Sequence, residues 1–162
     1  MLLENGVAVD EELRASVPGV FAAGDCAAFW SRRFGGRLRV EHWDSAIHAP
    51  AVVAANILGG GDVYDPVPYF WSEQFGRMVQ YCGHHTGADR LMWRGDTRGR
   101  DWTACWLAGA APAGTGERLS AVLAVARPRD LLQGRRLIAS GIPVDPARLA
   151  DPAVPLRDAA VS

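Results

Sequence analysis

A break between residues 59 and 68 divides the chain into two parts that differ in pattern. Three consecutive glycines, Gly59–Gly61, end an apolar helical stretch, and Pro66 and Pro68 disfavour helix at the residues before them. We therefore predict a domain boundary in this segment. The predicted domains are residues 1–61 and residues 62–155, followed by a tail over residues 156–162.

The first part combines short apolar runs with one helix, as in a piece of an α/β domain. Val7–Val9 is predicted to be a short strand. Val20–Ala23 is predicted to be a buried parallel strand that ends at Gly24-Asp25, because the run is continuously apolar. Residues 29–40 hold four arginines and a Gly-Gly pair, so we expect an exposed loop there.

A helix is predicted over residues 41–58, where small residues dominate. Pro50 lies inside it, and an interior proline removes a hydrogen bond and clashes with the carbonyl four residues back, at a cost of about 3 kcal/mol. We therefore expect either a kink near Ala46 or a helix that begins only around residues 47–50.

The second part has a β-rich pattern that predicts an antiparallel meander closed by one helix. The helix is predicted to begin at Pro128 and to end near Ser140, and the tail beyond Pro152 is expected to be loosely held. The predicted strands are residues 78–82, 90–94, 102–107 and 119–125, with a flexible hairpin loop over 109–116. The predicted fold class is therefore α+β, a partial α/β segment followed by a domain with an antiparallel sheet and a closing helix.

Charge and hydropathy exclude two classes of partner. The 17 basic and 18 acidic residues leave no excess of cations to follow a phosphate backbone, so we expect no nucleic-acid partner. No apolar run approaches the roughly 18 residues that cross a bilayer, and acidic residues stand near the N-terminus where a secretion signal needs cations. We therefore expect a soluble, cytoplasmic protein without a membrane partner.

No metal site is predicted. The three cysteines form no close pair, which argues against a disulfide framework and a four-cysteine zinc site. His42 and His48 are six residues apart, a poor match to one helix face. Cys82, His84 and His85 are clustered, but they are fewer than the four ligands of a structural site.

The run SVPGVFAAGDCA, residues 16–27, carries the most chemical information. Gly24 permits close backbone approach and Asp25 offers a carboxylate, as a hydroxyl-rich ligand such as a ribityl chain would require, although an Asp after Gly is also common in turns and helix caps. The run resembles the second FAD-contacting motif of flavoprotein oxidoreductases with two dinucleotide-binding domains, T-x-x-x-x-[YF]-A-x-G-D. Ser16 replaces the usual threonine.

Three further stretches indicate which family of flavoproteins the chain resembles. RVEHWDSAIHAPAVVAANILG, from Arg39, and YDPVPYFWSEQFG, from Tyr64, are similar to the patterns R-x-E-x-W-x-x-A and P-x-F-W-S-D-Q of bacterial ferredoxin reductases of the putidaredoxin-reductase and biphenyl-dioxygenase-reductase kind. AVARPRDLLQGRRLIASGIPVDPARLADP, from Ala124, resembles the end of their C-terminal reductase domain. The resemblance covers about residues 3–155, and makes residues 1–61 the returning segment of an FAD-binding domain.

The resemblance implies a flavin-binding role for five residues of the first part. Asp25 would hydrogen-bond the ribityl chain of FAD, with Gly24 leaving room for it. Glu41, His42 and Trp43 would lie at the start of the helix whose N–H groups approach the pyrimidine edge of the flavin. A helix N-terminus carries about half a positive charge, which would stabilise negative charge on that edge.

In the second part, the resemblance puts Trp71 beside the isoalloxazine, on the nicotinamide or ferredoxin side. Trp43 and Trp71 are equally compatible with packing, since six tryptophans in a chain of this length are mostly buried. Glu73 replaces the usual aspartate, and Pro50 stands where a flexible residue is common. No catalytic residue is expected, because the flavin performs the chemistry.

The chain has no G-x-G-x-x-G turn between a strand and a helix. The resemblance therefore implies that the ADP-binding half of the FAD domain and the NAD(P)H domain are not part of it. We therefore expect the C-terminal portion of a reductase that, when complete, passes electrons from NAD(P)H through FAD to a 2Fe-2S ferredoxin serving an oxygenase. A missing N-terminal half is a further expected partner. The chain alone is expected to be inactive, and the choice between NADH and NADPH stays open.

Two other functions stay open from the sequence. The first is a non-catalytic module that docks on a ferredoxin or self-associates, without bound flavin, and the second is a small stand-alone FAD-binding protein. Four arginines around the last helix would suit an acidic ferredoxin or simply form a solvated surface. They are Arg127, Arg129, Arg135 and Arg136.

Overall fold

A computed structural model of the chain describes residues 1–108 and 117–161. It divides after Pro68 into two compact units, which are described separately below. The predicted boundary after Gly61 lies in the same segment, residues 60–68, which contains neither helix nor strand. The loop predicted over residues 109–116 lies outside the described residues. In the described part of the chain, no helix has both the length and the apolar character of a membrane span.

The first unit is a small three-stranded sheet with one helix. Its strands are β1 (Val7–Val9), β2 (Ala27–Ser31) and β3 (Gly36–Arg39), and its helix is α1 (Trp43–Ile57). β2 lies in the centre, parallel to β1 and antiparallel to β3. The ring of Phe29 meets that of Tyr64 edge to face, with centroids 5.0 Å apart. The core also includes Val9, Leu13, Ala27, Leu38 and Ala49.

Three predictions for this unit are wrong, and the first is the buried parallel strand. Val20–Ala23 is not a strand, because Phe21 makes only an isolated bridge to Arg14 and the run turns into a short 3₁₀ helix at Gly24–Cys26. The buried central strand is instead the next apolar run, Ala27–Ser31.

The segment 29–40 is correspondingly a β-hairpin rather than an exposed loop. Two of its arginines pair with acids that are distant in sequence. Arg37 Nε pairs with Glu4 Oε2 at 2.9 Å, and the Arg32 guanidinium pairs with Glu11. These ion pairs let a charge-rich segment lie in a sheet.

Helix α1 confirms the helix predicted over residues 41–58. It begins at Trp43, so the alternative of a start at residues 47–50 is wrong, and the alternative of a kink near Ala46 stays a prediction. Pro50 lies within the helix on its exposed side. Side-chain bonds anchor the far end of this helix. The buried Asn56 side chain donates to Glu12 O at 2.8 Å and to Asp62 O at 2.9 Å, and it accepts from Asp62 N at 2.8 Å.

The second unit is an antiparallel sheet with a helix on one face. Its first five strands are β4 (Tyr69–Gln74), β5 (Arg77–Gly83), β6 (Arg90–Arg94), β7 (Trp102–Leu107) and β8 (Glu117–Val125). The order across the sheet is β4-β5-β8-β7-β6. The four predicted strands are confirmed, but the order is not that of a simple meander, because β8 lies between β5 and β7. β4 was not predicted.

Helix α2 (Pro128–Ser140) confirms the predicted helix and packs on β5 and β8. Proline at its first position fits the fixed backbone angle there, and Gly141 ends it with φ 64°. Gly134 faces Val122, whose side chain would collide with a Cβ at this position. The absence of a side chain at Gly134 therefore sets the close approach of α2 to the sheet.

The tail is not loosely held, contrary to the prediction. Beyond Pro152 the chain forms a 3₁₀ turn, Leu156–Ala159, in which Leu156 and Ala159 are fully buried. The segment that leads to this turn forms β9 (Pro143–Val144) and α3 (Pro146–Ala150). The buried Arg94 guanidinium fastens this segment to the sheet. It donates to Leu149 O at 3.1 Å, to Val154 O at 2.5 Å and to Asp151 O.

Candidate functional site

The 3₁₀ turn Gly24–Cys26 lies against the first turns of α1. Gly24 is buried and has φ +68°, a conformation that side chains disfavour. The nearest atoms to a Cβ built there belong to Ala46 of α1, at 3.6 and 3.8 Å. The exposed Asp25 follows at once, so Gly24 brings an acidic side chain to the N-terminal end of a helix.

Arg39 joins this turn to the residues that precede α1. Its Nε donates to Asp25 O at 2.8 Å and its Nη2 donates to Glu41 Oε1 at 2.5 Å. No role is predicted for Arg39 from sequence, although it is the first residue of the R-x-E-x-W run. The structure thus brings Gly24, Asp25 and Glu41 together at the start of one helix.

His42 caps helix α1, and its Nδ1 accepts from Asp44 N at 3.4 Å. Trp43 begins the helix with 63% of its surface exposed. Behind them, Tyr64 Oη lies 3.4 Å from the buried Ser45 Oγ, and burial raises the pKa of the Tyr64 phenol. The start of α1 therefore packs through Ser45 on one side and exposes Trp43 on the other. On the exposed side, the partial positive charge of the helix end favours an anion or a polar ligand.

Trp71 belongs to the second unit, on strand β4, and is 37% exposed. Its indole stacks on the Tyr69 ring, with centroids 5.6 Å apart and planes at 24°. The Arg135 guanidinium lies over the same tyrosine at 5.3 Å. Arg135 is therefore engaged in packing rather than displayed on the surface with the other arginines of α2.

The remaining arginines of α2 line two adjoining grooves, and we call this region the arginine groove. Arg129, Gln133 and Arg157 line both grooves, and Arg136 lines one of them beside the exposed Leu132 and Ile142. Arg127 pairs with Asp101 at 3.0 Å. Arg157 lies in the tail and was missed in the sequence analysis, because its place depends on how the tail folds back.

The cysteines of the sheet are poor candidates for chemistry. Burial raises the pKa of Cys82 and of Cys105 to about 12, so both remain thiols at neutral pH. Burial lowers the pKa of His84. Among the residues that the structure describes, no group of three or more histidine, cysteine or acidic side chains is arranged to hold a metal ion.

Two family models match the chain. Residues 69–160 match the reductase C-terminal family, and residues 1–49 match the pyridine nucleotide-disulphide oxidoreductase family. The first match covers most of the second unit, and the second includes the 3₁₀ turn and the start of α1.

Relatives and solved structures agree with these matches. The chain is 36% identical to the ferredoxin--NAD(+) reductase component of the anthranilate 1,2-dioxygenase system of Burkholderia cepacia, over 96% of the chain and 37% of that relative. It superposes on the crystal structure of Fdr9 with a TM-score of 0.83 and 45% identity, over 96% of the chain and 39% of the other. A covalent putidaredoxin reductase-putidaredoxin complex gives a TM-score of 0.84 and 30% identity, over 97% and 36%. The chain thus spans little more than a third of the length of these proteins.

Proposed function

Since the chain belongs to the reductase C-terminal family, we propose that it supplies the flavin-side segment and the C-terminal domain of a ferredoxin reductase. In its complete form this reductase would pass electrons from NAD(P)H through FAD to a 2Fe-2S ferredoxin that serves an oxygenase. The observation that carries the proposal is the convergence of the Gly24–Cys26 turn and the start of α1, linked by Arg39.

The side chains of this site fit FAD by their chemistry. The exposed Asp25 carboxylate is an acceptor for ribityl hydroxyls, and Gly24 leaves space where a side chain would stand. The α1 N-terminus, with Glu41 before it, His42 as cap and Trp43 at its first position, favours negative charge on the pyrimidine edge. When bound, FAD supplies the redox chemistry, taking a hydride and releasing electrons singly.

The chain's own residues would bind and orient the cofactor and not transfer protons in the reaction. Arg39 binds the Asp25 main-chain oxygen, so the backbone that carries this carboxylate is held next to the residues that precede α1. The role of Trp71 beside the isoalloxazine, which the motif resemblance implies, stays a prediction. NAD(P)H would be held by residues outside this chain.

The arginine groove is the proposed docking surface for the ferredoxin. Arg129, Arg136 and Arg157 present cations around the apolar side chains of Leu132 and Ile142. Charged rims around apolar centres are typical of protein interfaces, and complementary charge speeds encounter. An acidic 2Fe-2S protein fits this chemistry.

A chimera tests the proposal. This chain would replace the corresponding part of Fdr9, to which it is 45% identical. We expect the chimera to retain FAD, with a perturbed visible spectrum, and to reduce a 2Fe-2S ferredoxin with NADH or NADPH. A folded but colourless chimera would contradict the proposed flavin site.

Two variants of the chimera separate cofactor binding from docking. Asp25→Ala, which removes the proposed acceptor, is expected to weaken FAD binding roughly tenfold or more, since a hydrogen bond to a charged group contributes about 1.5–3 kcal/mol. Asp62→Ala, at an exposed acid beyond the other end of α1, is the matched control. Arg129→Glu is expected to raise the KM for ferredoxin while FAD content stays unchanged. An unaltered KM would favour a docking surface elsewhere.

A further inference from the structure

The three tyrosines of the chain differ in the group that lies within hydrogen-bond distance of the phenol oxygen. Tyr64 Oη lies 3.4 Å from the Ser45 hydroxyl, and Tyr69 Oη accepts from the Gln80 side-chain amide at 2.8 Å. Tyr81 Oη instead lies 2.8 Å from Nδ1 of His85. An imidazole nitrogen is the one Brønsted base among these three partners, because a hydroxyl and an amide take up a proton only in strong acid.

The backbone beyond β5 brings His85 back over Tyr81. β5 ends at Gly83, which has φ +92° and whose Cβ would overlap the Ser120 carbonyl oxygen, so only glycine allows the turn. Asp89 then holds the turn by accepting from Thr86 Oγ1 at 3.0 Å and from Ser120 Oγ at 2.6 Å.

The imidazole is also fixed from its other side. The His85 ring stacks on Trp106, with centroids 4.4 Å apart and planes at 19°. Trp106 in turn meets Tyr81 edge to face at 6.0 Å, and Phe70 stacks on Tyr81 at 5.3 Å. Three aromatic groups that can exchange an electron or a proton therefore contact one another on one face of the sheet.

We propose that Tyr81 and His85 form a site of proton-coupled one-electron oxidation, with Trp106 as the neighbouring electron donor. A diffusible one-electron oxidant, such as an oxygen-derived radical, takes one electron from the pair of rings Trp106 and Tyr81. The Tyr81 O–H bond breaks and its proton moves to His85 Nδ1. The products are a neutral tyrosyl radical, an imidazolium and the reduced oxidant. A one-electron reductant such as ascorbate returns the electron, and the proton moves back.

The surroundings of Tyr81 require that its proton leaves together with the electron. Burial raises the pKa of the Tyr81 phenol to about 12, so almost no phenolate is present beforehand to be oxidised. Loss of the electron alone would leave a cation in a half-buried aromatic cluster, which is costly. Transfer of the proton over one hydrogen bond avoids both states. None of these residues has a role in the proposed flavin site, so this inference stands apart from it.

Photo-oxidation of the purified chain tests the proposal. A flash of light with ruthenium tris-bipyridine and persulfate generates a one-electron oxidant, and radicals are followed by transient absorption and electron paramagnetic resonance. We expect a tyrosyl signal in the unmodified chain that forms more slowly in heavy water and disappears on addition of ascorbate. No tyrosyl signal, or a rate unaffected by heavy water, would overturn the proposal.

Variants assign the signal to the pair. Tyr81→Phe is expected to abolish it, whereas Tyr69→Phe, which removes a phenol bonded to an amide, leaves it unchanged. His85→Gln keeps a polar side chain of similar reach but removes the base, and is expected to slow radical formation at least about tenfold. Persistence of the signal in Tyr81→Phe, or an unchanged rate in His85→Gln, would refute the assignment. His85 is exposed, so its replacement leaves the core intact.

Discussion

Asp130→Ala is expected to destabilise the second unit strongly, because it leaves a buried cation without its counter-charge. The Asp130 carboxylate accepts from Arg94 Nε at 3.0 Å and from Thr103 Oγ1 at 2.9 Å. The Arg94 and Asp130 side chains are only 3% and 9% exposed. Removing one partner of such a pair costs about 3–5 kcal/mol. The unfolding equilibrium should therefore shift by roughly two to four powers of ten.

Urea unfolding followed by tryptophan fluorescence measures this loss, with hydrogen exchange over residues 149–160 as a second readout. Exchange there should accelerate, because Arg94 also binds the carbonyl groups of that segment. Asp96→Ala, which breaks the exposed pair with Arg98, is the control and should cost less than about 1 kcal/mol.

The double replacement Arg94→Met with Asp130→Leu separates charge from packing. If an unpaired charge causes the loss, the apolar pair should be more stable than Asp130→Ala alone. A loss below about 1 kcal/mol for Asp130→Ala, equal to that of the exposed control, would refute the reasoning.

Two further predictions concern the thiols and helix α1. In the folded chain at pH 8, a thiol reagent should modify the exposed Cys26 but neither Cys82 nor Cys105. Burial raises the pKa of both buried thiols to about 12, so neither forms the reactive thiolate. Rapid labelling of all three cysteines would contradict this burial. Pro50→Ala should raise the free energy of unfolding by about 1–3 kcal/mol, since it restores a helix hydrogen bond on an exposed side. Pro128→Ala, at the first position of α2, should bring no gain, because that position needs no such bond. Equal effects of the two replacements in urea unfolding would count against this account.

The second unit could be predicted from sequence where local signals agree. Arg90–Arg94 and Trp102–Leu107 are strands with the predicted bounds, because turn-forming residues flank each β-rich run. Helix α2 also has its predicted bounds, from Pro128 at its start and Gly141 after its end. Tyr69–Gln74 was missed, since the prolines before it suggested an extended linker.

The errors arise where distant residues decide the structure. Two apolar runs stand on either side of Gly24, and nothing local indicates that Ala27–Ser31, rather than Val20–Ala23, enters the sheet. The arginines of the β2-β3 hairpin resemble those of a solvated loop until Glu4 and Glu11 come into contact with them. The tail resembles a loose end until it meets Arg94.

For the candidate site, the motif resemblance indicated Gly24, Asp25 and the residues before α1, and the structure brings these together. Their roles toward FAD stay predictions, as does that of Trp71. The role of Arg39 could not be predicted from sequence. It binds a main-chain oxygen of the 3₁₀ turn and a neighbouring acid, and the first of these contacts forms only because the hairpin brings β3 back beside the turn.

The way Arg94 holds the tail has an evolutionary consequence. The guanidinium binds main-chain oxygens of Leu149, Asp151 and Val154, and every amino acid offers the same oxygen. Side chains on the outside of this segment are therefore free to mutate without loosening it. Pro152 and Ala153 also line the arginine groove. Single substitutions at such positions can therefore change the surface that faces a partner while the fold beneath stays the same.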